Sequence, residues 1–241
     1  MSRFVIADVH GNLKGMLQAF DRSGFNYKKD QLICLSDTAD GYPDVKECFY
    51  TLNEVKDLIY LKSNHDFWLL DWLKTGRQPR AWTTQGGLAT LNSLNFKPDK
   101  LINNLLEKAI PYYIDDKNNL FVHGGIDLSI PIEYNKDYDI IWDREMLNTA
   151  QMLHTIEEND KENNIWYKWN TENYNQYNEI FCGHTCSQTY HSDLPLHFHN
   201  VWGMDTGAGY NGFVTIMNID THKYWQSDSG LDLYGPNQGR K

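Results

Sequence analysis

At 241 residues the chain is long enough for one domain with a full core, and a second independent core would be cramped. A net charge of −10 with no basic run argues against a phosphate-backbone binder, so nucleic acid is not expected as a partner. MSRFVIADVHG enters a strand-like run at once and no apolar stretch is long enough to span a bilayer, so membrane attachment is not expected and a cytoplasmic location is the default. Cys34, Cys48, Cys182 and Cys186 form no dense framework and read as reduced thiols. Cys182, His184 and Cys186 alternate, but no second soft-ligand pair with finger-like spacing accompanies them, which argues against a thiolate zinc site.

Taken in chain order, FVIADV (4–9) reads as a buried strand, and Leu13, Met16, Leu17 and Phe20 then recur at helical spacing. LICLSD is a second strand, followed by a helix with Val45, Cys48, Phe49 and Leu52 on its apolar face and Pro43 near its start. DLIYLKSN (57–64) is a third strand, followed by the aromatic helix DFWLLDWL. Consecutive strand-to-helix units predict parallel strands with crossovers. From about residue 111 the texture becomes PYYIDD, LFVHGG, EIFCGHT, NGFVTIMNID and KYWQSD, short strands between turn residues, which predicts a mostly antiparallel second sheet. Residues 133–178, rich in Asn, Glu, Asp and Tyr, read as a cap-like insertion of helices and loops, and the Gly-rich stretch 229–241 as a loose tail.

What closes each apolar run carries the chemistry. Asp8 and His10 follow the first strand, Asp37 and Asp40 the second, and Asn64 and His65 the third; His123 ends LFVH, His184 ends EIFCGH, and Asp205 follows NVWGM. Ligands bind at the carboxyl ends of strands in open α/β sheets. One such residue is an ordinary turn residue, but the recurrence points to a site. Carboxylate, imidazole and amide donors together suit Mn²⁺, Fe²⁺ or Zn²⁺, and a pair of such ions about 3.5–4 Å apart is the device of in-line phosphoryl hydrolysis.

DVHGN, SDTADG, SNHD, VHGG and GHT, in this order, resemble the motifs of the calcineurin-like metallophosphoesterases, written GDxHG, GDxxDRG, GNHE/D, HAG and GHT. The similarity is to the serine/threonine phosphatase-like branch, which includes bacterial and phage protein phosphatases and symmetrical dinucleoside tetraphosphatases. WTTQGGLATL, IIWDREM and MDTGAGYNGF also resemble its connecting segments, so the resemblance runs from Asp8 to about Phe213. It implies an α/β fold, a two-sheet β-sandwich flanked by helices. It further implies that Asp8 and His10 hold a first metal ion, that Asp37 bridges two ions, and that Asn64, His123 and His184 complete the second ion's ligands. Manganese is the first choice, with iron, zinc or nickel as alternatives. By the same resemblance Asp40 orients His65 as general acid beside a metal-bridging hydroxide, although a turn bond before Pro43 is an alternative role for Asp40.

The sequence departs from this pattern at Ala7, Ser36 and Ser63, where glycines are usual, and more seriously at Gly41-Tyr42, where the pattern has Arg-Gly. The arginine fork expected to grip a substrate phosphate is missing there. Arg144 in IIWDREM matches a second phosphate contact of the family, and Lys62 offers a point charge near Asn64. The expected activity is hydrolysis of phosphomonoesters, on a serine/threonine phosphoprotein or a small molecule. A dinucleoside polyphosphate hydrolase of Ap4A type is the alternative, followed by a non-catalytic, metal-stabilised phospho-binding protein.

Overall fold

The computed structural model describes residues 1–159 and 164–240. Among these residues ten strands form two five-stranded sheets. The first has the order β10-β9-β1-β2-β3, with β1 Arg3–Ile6, β2 Gln31–Cys34, β3 Asp57–Tyr60, β9 Thr215–Asn218 and β10 Tyr224–Gln226. Strands β1, β2 and β3 are parallel, joined by α1 (Leu13–Ser23) and α2 (Val45–Asn53), as the strand-to-helix spacing predicts. The second sheet has the order β4-β5-β6-β8-β7, with β4 Tyr112–Ile114, β5 Leu120–Val122, β6 Ile180–Cys182, β7 Leu196–Phe198 and β8 Val201–Gly203.

Two expectations are corrected here. The second sheet is mixed, because β5, β6 and β8 run parallel and only β4 and β7 are antiparallel to their neighbours. The long helical connection between β5 and β6 is the crossover that parallel pairing requires. NGFVTIMNID and KYWQSD do not join that sheet: β9 pairs antiparallel with β1, and β10 with β9. Ile216 and Met217 of β9 are both fully buried, on opposite faces, and an interior position in the first sheet covers both.

Strand alternation builds the layers. Phe4, Ile6, Leu32 and Cys34 pack under α1, α2 and α3 (Asn64–Thr75), while Val5, Ala7, Ile33 and Leu35 point between the sheets. There they meet Phe121 and Phe181 of the second sheet, stacked at 4.9 Å between ring centroids. Leu120, Val122, Ile180 and Cys182 face outward onto α8 (Glu145–Asn159) and α9 (Ile165–Tyr174). Most of the helical part of 133–178 is thus the outer layer of the second sheet, and the stretch from α7 (Asp137–Ile140) to the first turn of α8 reaches the rim of the site. Between α3 and β4 lie α4 (Arg80–Trp82), a π turn (Thr83–Gly87), α5 (Leu88–Ser93) and α6 (Lys100–Lys108).

Residues 229–240 are docked rather than loose. Ser229 caps α10 (Gly230–Tyr234) by accepting from the Asp232 amide, Tyr234 Oη donates to Asp44 at 2.7 Å, and the Arg240 amide donates to the Gly209 carbonyl at 2.7 Å. Among the described residues no helix is long and apolar enough to cross a membrane.

Candidate active site

Beyond the ends of β1 and β2 the chains stay zipped: the amides of Asp8, His10 and Gly11 donate to the carbonyls of Ser36, Asp37 and Thr38 at 2.9, 2.8 and 2.9 Å. This fixes the first two groups of ligand-type residues against each other. Asp8, His10, Asp37, Asp40 and His184 have φ of 49°, 49°, 50°, 71° and 63°. Asp and His tolerate that left-handed region better than most residues, yet each such conformation still costs roughly 1 kcal/mol or more. Strain concentrated at these positions marks a site built for geometry. Ser36, at φ 84°, bears the same strain where the family pattern has glycine, and its hydroxyl bonds Ser63 Oγ at 2.8 Å and Asp66 Oδ2 at 2.6 Å. Ser63 in turn accepts from the Asp37 amide at 3.0 Å and caps α3, so the two replaced glycines have become a buried polar lock.

The imidazoles are aimed by backbone carbonyls. His10 Nδ1 donates to Ala39 O and His123 Nδ1 to Leu35 O, both at 2.9 Å, which leaves each Nε2 lone pair facing inward. Asp37 Oδ2 sits 3.7 Å from His10 Nε2 and 3.4 Å from His123 Nε2, while its Oδ1 accepts from the His65 amide at the start of α3 at 3.0 Å. Asn64 Oδ1 lies 2.8 Å from His123 Nε2. The Asp8 carboxylate accepts from the His184 amide at 3.0 Å, a contact that only glycine at 183 permits, since a Cβ there would lie 2.2 Å from Asp8 Oδ1. Asp8, His10, Asp37, Asn64, His123 and His184 are therefore gathered in one buried cage supplied by both sheets.

Asp40 does not make the turn bond that was its alternative. Its carboxylate accepts from Trp82 Nε1 at 2.9 Å to both oxygens, from Thr90 Oγ1 at 2.6 Å and from His65 Nδ1 at 2.5 Å. Trp82 and Thr90 come from WTTQGGLATL, which the sequence marked only as a family-like connection. The fully buried carboxylate fixes the ring of His65 with Nε2 pointing away.

The polar rim differs from the sequence reading. Arg144 Nη1 donates to His184 O at 2.9 Å and to Thr185 Oγ1 at 3.2 Å, at the wall of a 550 Å³ cleft that includes His184 and Asp205. Lys62 is not there: its Nζ donates to Asp137 at 2.5 Å, beside a separate and mostly apolar cavity with Phe67 and Leu106. Lys62 lies two residues beyond β3, and Asp137 captures its exposed ammonium. In the same cleft stands Arg240, which no local pattern singled out, with Nη1 donating to His10 Nε2 at 3.1 Å.

Charge in the cage is unbalanced. Burial, then Asp205 and Asp37, push the Asp8 carboxyl well above the usual range. Burial also acts upward on Asp37, but His123, His65 and His10 hold it well below that range. Burial, followed by His123 and Arg144, lowers His184 to about 2, so its ring is neutral, and its Nε2 has no partner among the described residues. Buried carboxylates crowded together, inward imidazole lone pairs and an orphaned Nε2 fit divalent cations bound by nitrogen and oxygen. A ligand atom from each of His10, Asp37 and His65, and one from each of Asp37, His123 and His184, lie within 4.8 Å of one another, with Asp37 common to both groups.

A calcineurin-like phosphoesterase family model matches residues 1–188. The symmetrical bis(5'-nucleosyl)-tetraphosphatase of Pseudomonas fluorescens is 22% identical, with 98% of each chain covered. Among solved structures, a candidate diadenosine tetraphosphatase superposes with a TM-score of 0.64 at 14% identity, covering 95% of this chain and 93% of the other. A protein serine/threonine phosphatase from Saccharomyces cerevisiae superposes with a TM-score of 0.56 at 12% identity, covering 95% and 80%.

Proposed function

The chain belongs to the calcineurin-like phosphoesterase family and is a phosphoester hydrolase, and on that premise we propose that the cage holds two divalent ions and that the 550 Å³ cleft beside it receives a phosphomonoester. The observation that carries this reading is Asp37 Oδ2, set between the inward Nε2 atoms of His10 and His123. Asp8, His10 and Asp37 would hold one ion, and Asp37, Asn64, His123 and His184 the other. A divalent pair supplies the Lewis acidity that yields a nucleophile from water at neutral pH and offsets the charge of the phosphate. Manganese is our first choice for both positions, on the mixed oxygen and nitrogen donor set.

The protein's own part follows from the dyad and the rim. Asp40 Oδ2 accepts from His65 Nδ1, so the ring can deliver a proton only from Nε2, where a leaving alkoxide would need it. Asp40 needs no movement for this, because Trp82 and Thr90 already hold both of its oxygens. Arg144, anchored on His184 O, presents its remaining donors to the cleft and orients the phosphate. The free thiols of Cys34, Cys48, Cys182 and Cys186 fit a reducing, cytoplasmic setting.

A dinucleoside polyphosphate is the second reading, favoured by one feature. Trp68 stacks edge-on to His65 at 5.2 Å and to Trp142 at 5.2 Å, and Trp142 adjoins both His184 and the exposed Tyr138. Such a wall suits a nucleobase, and the Pseudomonas relative is a tetraphosphatase along its whole length. Turnover of phosphopeptides, aryl phosphates and diadenosine tetraphosphate with Mn²⁺ separates the two. Preference for the monoesters by kcat/KM supports the first reading, preference for the dinucleotide the second, and no metal-dependent turnover of any of them overturns both.

A further inference from the structure

We infer that Arg240 is a phosphate-binding residue of this active site, delivered by the segment after α10 into the space that Gly41 leaves open. The inference rests on the proposed reading of the cleft as a phosphate site and names one more of its ligands.

The slot is built by glycines. A Cβ on Gly41 would lie 3.4 Å from Arg240 Cγ, one on Gly86 3.2 Å from the same atom, and one on Gly209 3.1 Å from Arg240 Cδ. Side chains at these positions would narrow or close the channel through which the arginine stem runs. Gly41, at φ 88° and with its would-be Cβ 3.0 Å from the His10 carbonyl, also has no room for an arginine of its own. Tyr42 completes the arrangement. Its hydroxyl donates to the Tyr210 carbonyl, its ring lies 4.7 Å from that of Tyr234, and a Cβ on Gly239 would meet its Cζ at 3.0 Å. The residue pair that breaks the family pattern is thus a dock for 230–240.

What the dock delivers is a directed cation. The Arg240 amide is tied to Gly209, its guanidinium lies over the Tyr210 ring at 5.0 Å, and Nη1 reaches His10 Nε2. Nε is buried and unpartnered among the described residues. Fixing the stem reduces the entropy that a free arginine would lose on binding. Arg144 enters the same cleft along His184 and Arg240 along His10, so an anion between them meets a fork from each side.

The test is binding of inorganic phosphate to the manganese-loaded protein by calorimetry, with bound metal measured in parallel. Arg240→Ala is expected to weaken phosphate binding on the order of 10- to 100-fold with metal content unchanged. Arg240→Lys should recover only part of this, because it keeps the charge and loses the fork. Removing residues 235–241 should match Arg240→Ala, and equal thermal unfolding of all forms would exclude a folding effect. Wild-type phosphate affinity in Arg240→Ala overturns the inference and leaves the hydrolase reading standing. Tighter metal binding in Arg240→Ala also overturns it, since the arginine would then be a plug at His10. A wild-type protein that binds metal but no phosphate overturns this inference and the proposed cleft together.

Discussion

The cage and the rim of this site are built on different principles. Every cage residue sits at or just beyond a strand end and is at least nine-tenths buried, and four of the six are aimed by a backbone group: Ala39 O for His10, Leu35 O for His123, the His65 amide for Asp37 and the His184 amide for Asp8. The rim is assembled from loops, with an exposed Arg144 before α8 and a half-buried Arg240 beyond α10, and with Lys62 drawn off to Asp137. A cage proposed to fix ions to a fraction of an ångström needs rigid elements, whereas a rim proposed to admit substrate needs side chains that can yield. The rim is where this chain lacks a charged group of its family pattern, whereas the departures beside the cage, Ala7, Ser36 and Ser63, exchange one small residue for another.

Several substitutions would break or sharpen that contrast. The largest effect should come from Asp37→Asn, because one carboxylate faces both imidazole groups. Activity should fall by about 10³-fold or more, with metal content reduced. Full activity in a metal-free preparation would break the contrast altogether. His65→Asn should follow, lowering kcat on the order of 10²- to 10⁴-fold with metal content retained. The loss should shrink for aryl phosphates, whose leaving groups need no proton. His65 lies close enough to His10 and Asp37 to be a ligand instead, and loss of metal in this variant would reveal that role.

Next in size are the residues behind the dyad. Trp82→Phe removes the donor shared by both Asp40 oxygens and should lower kcat roughly 10- to 100-fold with little change in KM. It should also cost about 1–3 kcal/mol of stability, since a buried carboxylate loses a partner. A changed KM with constant kcat would place Trp82 in substrate binding. The smallest effect should be at Lys62→Ala, within about twofold of wild type in kcat/KM, because its exposed pair with Asp137 contributes no more than about 1 kcal/mol. Arg144→Ala, in contrast, should raise KM. Equal effects at the two positions would mean that Lys62 leaves Asp137 when substrate binds.

The sequence itself determined the strand-to-helix order of the first three units and the ligand-type residues that close the strands, while the two-sheet sandwich and the proposed ligand set of the cage came from resemblance to the family. The strand order and the strand-end residues are written within a few positions along the chain: an apolar run shows a strand, and a ligand-type residue after it shows what the strand end presents. Only the tertiary structure decided the rest. It put β9 and β10 in the first sheet and made the second sheet mixed, because pairing partners are chosen by which faces must be covered, and short strands carry no label for direction. It brought Trp82 and Thr90 to Asp40, turned Lys62 to Asp137, and set Arg240 beside His10 across most of the chain's length. Gly41 gave a local sign that something was missing, but nothing nearby in sequence could say what replaced it. A guanidinium reaches its place through a slot formed by Gly41, Gly86 and Gly209, and that slot exists only once three remote loops have packed together.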